Sequence, residues 1–109
     1  MLDKRILTGY TLLMRIRSFS HKDLKRLYQE DNSKGFPADC VDKLRKMLAF
    51  MQDMQDVGEI YSLPTWRPHI MSGKRKGTWS LHVTPNWRLT FRIDAVEGEI
   101  YDVSYEDYH

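Results

Sequence analysis

Apolar and polar residues alternate along Met14-Arg15-Ile16-Arg17-Ser18-Phe19, with Met14, Ile16 and Ser18 on one face and Arg15, Arg17 and Phe19 on the other. That period predicts a short strand. The rhythm then lengthens. Ser20-His21-Lys22-Asp23 has the form of a capping box, a serine oxygen for an orphan backbone amide and an acid three residues on that reaches back. Leu24, Leu27 and Tyr28 mark the apolar side of the helix it opens, which should end before the turn cluster Asp31 to Gly35. Pro37 is read as the first residue of a longer helix, where its missing amide hydrogen is not needed. Val41, Leu44, Met47, Leu48, Met51 and Met54 recur at steps of three and four, which predicts one buried stripe. Gly58 is the expected stop.

Pro64 and Pro68 interrupt helix, so Ile60 to Arg67 is read as irregular chain. Gly77 to Val83 alternates again, with Trp79, Leu81 and Val83 on one side and Thr78, Ser80 and His82 on the other. Thr84-Pro85-Asn86 makes a hairpin connection. Trp87, Leu89, Phe91 and Ile93 carry the apolar face onward, leaving Arg88, Thr90 and Arg92 opposite. Glu99 to Tyr105 supplies a last strand with Tyr101, Val103 and Tyr105 on one side. The expected fold is α+β: a small antiparallel sheet packed on one face by two helices, with the first strand at its edge.

A chain of 109 residues supports one core and one domain. Its single cysteine, Cys40, excludes an intramolecular disulfide and a cysteine-built zinc site, and reads as a small buried hydrophobe. No apolar run approaches the ~18 residues of a spanning helix, and Met1 to Leu7 lacks the features of a secretory signal. A cytoplasmic location is expected. His69, His82 and His109 lack the short paired spacing of zinc ligands, so no metal or cofactor is implied.

The net charge of +2 says little, but its distribution says more. Between Glu59 and Asp94 no acid occurs, while Arg67, Lys74, Arg75, Lys76, Arg88 and Arg92 fall there with His69 and His82. From Asp94 onward the pattern reverses: Asp94, Glu97, Glu99, Asp102, Glu106 and Asp107 appear with no Lys or Arg. Cations interleaved with Trp66, Trp79, Trp87 and Phe91 suit an RNA-facing surface, where phosphates meet charge and bases meet rings. The same residues equally suit basic and acidic strands that pair across a sheet. His109 lies beside the terminal carboxylate, which favours a proton-exchanging imidazole near neutral pH. With an arginine to hold a phosphate, these groups suffice for attack of an RNA 2′-hydroxyl on the adjacent phosphate without a bound metal.

The run from Met14 to Tyr28 resembles the opening of the HigB group of the RelE/ParE toxin superfamily. Gly77 to Val83 followed by Asn86-Trp87-Arg88-Leu89-Thr90-Phe91 resembles its central hairpin, and Asp107-Tyr108-His109 its C-terminal signature. The resemblance implies a RelE-like, microbial RNase-like fold and a toxin of a type II toxin-antitoxin system. It implies an endoribonuclease that enters the A site of the 70S ribosome and cuts the mRNA being translated. It further implies a HigA-like helix-turn-helix antitoxin and, through it, association with operator DNA. Carried over by position, His69, Arg88, Asp107, Tyr108 and His109 are the expected catalytic residues. Lys74, Arg75, Lys76, Arg92 and His82 are the expected RNA-binding set, with the turn cations reaching the site or gripping ribosomal RNA.

Two departures stand out. Ser72 occupies the place, three residues after His69, where such sequences often carry a lysine. Residues 1–13 precede the usual start, so they are read as an extension ahead of a single toxin domain, 14–109, with Met14 as its natural initiator. Other readings are a ParE-like toxin that arrests DNA gyrase, which two histidines disfavour, and a non-catalytic module that only binds an antitoxin.

Overall fold

A computed structural model describes residues 6–7 and 11–108. Strands β1 (Ile6–Leu7) and β2 (Thr11–Leu12) pair antiparallel as a separate ribbon. The main sheet comprises β3 (Arg15–Ile16), β4 (His69–Ile70), β5 (Trp79–Thr84), β6 (Trp87–Asp94) and β7 (Glu99–Asp107), in the order β3-β7-β6-β5-β4. Two helices, α1 (Lys22–Glu30) and α2 (Ala38–Asp53), cover one face. Strands β4 to β7 run antiparallel, as their turns dictate. Strand β3 joins the β7 edge in parallel, with Arg15 opposite Glu99 and Ile16 opposite Ile100, so the sheet is mixed rather than wholly antiparallel. Among the described residues no helix is long and apolar enough to cross a membrane.

The helix starts differ from expectation by one residue each, and α2 ends several residues early, with identifiable causes. Ser20 still belongs to the extended chain, its amide donating to the Val103 carbonyl at 3.0 Å. The cap of α1 is therefore His21, whose Nδ1 accepts from the Leu24 amide at 3.1 Å, and the serine box is not formed. Asp23 instead pairs with Arg26 and crowds Gly35, where an added Cβ would lie 2.3 Å from its carboxylate. Pro37 sits one position before α2 as its cap. All six stripe residues are buried, five within α2 and Met54 at its C-terminal cap. The helix stops at Asp53, ahead of Gly58, because Glu59 takes the amides of Gln55 and Asp56 at 2.6 and 2.9 Å and starts a new 3-10 turn, Val57–Ser62.

Side chains alternate across β6: Leu89 and Phe91 are fully buried against the helices, while Arg88 and Arg92 point the other way. On β7 the alternation slips once. Thr90 faces Ser104 and Arg92 faces Tyr101, so Asp102 and Val103 together oppose Phe91, a bulge made possible by Asp102 at φ 53°. Ile100 before the bulge and Val103 and Tyr105 after it all reach the core. Tyr101, expected beside Val103, stands on the polar face. The bulge is braced by the Asp102 amide, which donates to Ser18 Oγ at 3.0 Å.

Because the bulge needs a positive φ at Asp102, Asp102→Gly should leave stability unchanged or raise it by up to about 1 kcal/mol. Asp102→Val should lower it by about 1–3 kcal/mol. Urea unfolding of the two variants checks this, and a tolerated valine would contradict the bulge.

Candidate nucleic-acid site on the polar face of the sheet

Register sets rows of side chains on the face away from the helices. His82 lies opposite Arg88, and Arg88 opposite Glu106. His69, Ser80, Thr90 and Ser104 form a second row, and Arg92 with Tyr101 a third.

Arg88 is fixed by neutral groups. Its Nη1 donates to the carbonyls of Thr84 at 2.9 Å and Trp87 at 3.1 Å, and its guanidinium carbon lies 3.9 Å from the centre of the Tyr108 ring. The Tyr108 amide donates to the Asn86 carbonyl at 2.8 Å, which ties the tail to the hairpin turn. Tyr108 is 64% exposed. Arg92 is held similarly, by Tyr101 Oη and Thr78 Oγ1, each at 3.2 Å. The Nδ1 atom of His82 is buried and has no hydrogen-bond partner among the described residues. Burial, then the charges of Arg88, Lys43 and Arg67, hold this imidazole below its ordinary value, which favours its neutral form.

The basic turn folds back over this face. Gly73–Arg75 form a 3-10 turn, and Arg75 reaches across β5 and β6 to Glu106 on β7. Arg75 Nη1 donates to Glu106 Oε1 and Nη2 to Oε2, each at 2.7 Å, and the Thr90 hydroxyl donates to the same carboxylate. The Arg75 guanidinium first, with Thr90 assisting, holds the Glu106 carboxyl below the usual carboxylate range despite partial burial. Glu106 was absent from the expected site set. The alternation that turns Tyr105 inward places its neighbour outward, and this was the available signal.

Two adjoining hollows result. One of about 200 Å³ is lined by Met71, Arg75, Arg88, Thr90, Glu106, Asp107 and Tyr108. The other, about 330 Å³, is lined by Ser20, Lys74, Arg75, Thr78, Arg92, Asp102 and Glu106. His69 is exposed at the start of β4 and shares the polar face with Thr90, about 10 Å away at two strand spacings. Register sets Asp107 opposite Trp87, on the Tyr105 side of β7. Lys76 is exposed where the basic turn ends. His109 lies outside the described residues. The structure thus gathers Arg75, Arg88 and Tyr108 around one hollow, Lys74 and Arg92 around its neighbour, and sets His69 across the sheet. This arrangement can hold a polyanion and stack a base. Among the described residues no group of three or more His, Cys, Asp or Glu is placed to hold a metal ion.

Residues 17–109 match the family described as the RelE-like toxin of type II toxin-antitoxin system HigB. The chain belongs to this family. It is 37% identical over 94 residues to the Endoribonuclease HigB of Proteus vulgaris, an alignment covering 86% of this chain and 99% of the relative. The YoeB/ParE toxin from Agrobacterium tumefaciens shares the fold with a TM-score of 0.55 at 16% identity, over 88% of this chain and all of that one. YafQ from Escherichia coli does so with a TM-score of 0.52 at 14% identity, over 87% and 93% of the two chains. At those identities the solved structures speak for the fold alone. Every polar-face residue of this HigB-family toxin named above lies within the matched span, and the family pairs such a toxin with an antitoxin.

In an NMR titration of this HigB-family toxin, the His82 imidazole should titrate below its ordinary 6.5, and Arg88→Gln should move the midpoint upward. A parental midpoint at or above 6.5 would refute the described burial of its ring.

Proposed function

We propose that this HigB-family toxin is an endoribonuclease that enters the ribosomal A site and cuts the mRNA being translated. The observation that carries this reading is the hollow where Arg75, Arg88, Thr90 and Tyr108 meet, in a chain whose Proteus vulgaris relative is named an endoribonuclease. His109 takes the proton of the 2′-hydroxyl, and the freed 2′-oxygen forms a bond to the adjacent phosphorus. The bond from phosphorus to the 5′-oxygen breaks, and that oxygen leaves with a proton from His69. The products are a 2′,3′-cyclic phosphate and a 5′-hydroxyl. Arg88 faces the charge that builds on the phosphate oxygens. Asp107 orients an imidazole, and Tyr108, with Arg88 over one side of its ring, offers the other side to a base. Proton transfer and charge stabilisation both come from side chains, so the chemistry requires no metal ion.

Lys74 and Lys76 grip ribosomal RNA phosphates, while Arg92 and His82 face the RNA strand beside the hollow. The regulatory partner is a HigA-like helix-turn-helix antitoxin that brings the toxin to operator DNA, and the toxin acts in the cytoplasm.

General acid-base catalysis contributes about 10²–10⁴ in rate, so His109→Gln should slow cleavage on programmed ribosomes by at least about 100-fold. A near-parental rate would end that assignment. Lys74→Ala with Lys76→Ala should weaken ribosome binding and flatten its salt dependence by roughly one log unit of slope per lost contact. An unchanged slope would return both lysines to the solvated surface.

A further inference from the structure

We infer that Arg75 is a second phosphate-binding guanidinium of the cutting hollow and that Glu106 is its positioning residue, an inference that rests on the RNA-cutting role proposed for that hollow. Arg75 lines the same hollow as Arg88 but arrives from a different element. Its turn is closed by hydrogen bonds from Met71 N to Thr78 O at 2.8 Å, Thr78 N to Arg75 O at 3.0 Å and Gly77 N to Met71 O at 3.3 Å. Gly73 and Gly77 supply positive φ values of 69° and 88° at its two ends. A long cation on such a turn would ordinarily sample many rotamers in water. Here the fork to Glu106 fixes it above β6, beside Thr90 and close to Arg88.

The Arg75 and Glu106 side chains are 48% and 30% exposed, and exposed ion pairs contribute little to folding. Their alignment is nevertheless bidentate and backed by the Thr90 hydroxyl. Such an arrangement sets a guanidinium plane before substrate arrives, and preorganised donors are the ones that lower a barrier. The fork engages one N–H on each terminal nitrogen, and a guanidinium has further N–H groups to offer a phosphate. Across the two adjoining hollows four cations, Lys74, Arg75, Arg88 and Arg92, meet three carboxylates, Asp102, Glu106 and Asp107, so the surface stays net positive with Glu106 orienting Arg75. As the 2′-oxygen bonds to phosphorus and the 5′-oxygen departs, the charge on the remaining phosphate oxygens falls between Arg75 and Arg88.

The test is single-turnover cleavage, at saturating toxin, of a short mRNA on 70S ribosomes, with the same mRNA free in solution as a second arm. Glu106→Gln and Arg75→Lys should each lower the saturated rate by about tenfold or more, with half-saturation and melting temperature little changed. The double variant should be no slower than Arg75→Lys alone, since both changes remove one placement. If the parent cuts neither substrate, the proposed function itself fails. If the parent cuts and Glu106→Gln keeps pace or is faster, Glu106 only restrains the turn and the inference is overturned. Should Glu106→Gln not fold, Arg75→Lys decides: lysine keeps the charge without the fork, and a parental rate would overturn the inference.

Discussion

Each residue of β6 that buries itself against the helices forces its neighbour onto the opposite face, and this alternation is the constraint from which the rest of the molecule follows. Leu89 and Phe91 are fully buried, so Arg88, Thr90 and Arg92 have no choice of side. The neighbouring strands read their positions from β6 through register. The bulge at Asp102 then lets β7 bury Ile100, Val103 and Tyr105 while still presenting Tyr101, Ser104 and Glu106 on the polar face. A one-residue slip would exchange the two faces, moving charge into the core and apolar side chains into water. Core packing and site assembly are thus one event.

Charge is distributed with the same economy. Acids from Asp94 onward brace cations: Arg17 donates to Asp94 and Glu99, and Arg75 forks onto Glu106. Arg88 and Arg92 are held instead by carbonyls, hydroxyls and aromatic rings. Neutral acceptors fix a guanidinium without neutralising it, which leaves its charge for an anion. This division turns a chain of nearly balanced charge into one with a locally cationic face.

Much of this was legible in the sequence because it rests on period. The stripe from Val41 to Met54 and the alternation from Trp79 to Ile93 fall where the pattern sets them, and the hairpin turns at Pro85-Asn86, with Thr84 the last residue of β5. What escaped depends on contacts between distant residues. Ser20 gave up the cap to His21 because Val103 claims its amide, and Tyr101 changed face because a bulge intervenes. Neither Val103 nor the bulge is visible from local spacing. At the site, Arg88, Thr90 and Arg92 were placed by alternation alone, whereas the union of Arg75 with Glu106 joins residues 31 positions apart and needed the fold to be seen. Asp107 lies on the Tyr105 side of β7 because register, rather than its neighbours in the tail, sets its direction.

On the function proposed above, RNA is cut on the polar face, above β6 and between Arg75 and Arg88. The most direct measurement is an experimental structure of the toxin on a 70S ribosome whose mRNA carries a 2′-deoxynucleotide at the cut position, which blocks the attack and preserves the strand. The scissile phosphate should lie in the hollow bordered by Arg75, Arg88 and Thr90, with a base against Tyr108. A phosphate seated on the helix-covered side, or on the polar face but beyond reach of both guanidiniums, would contradict that reading.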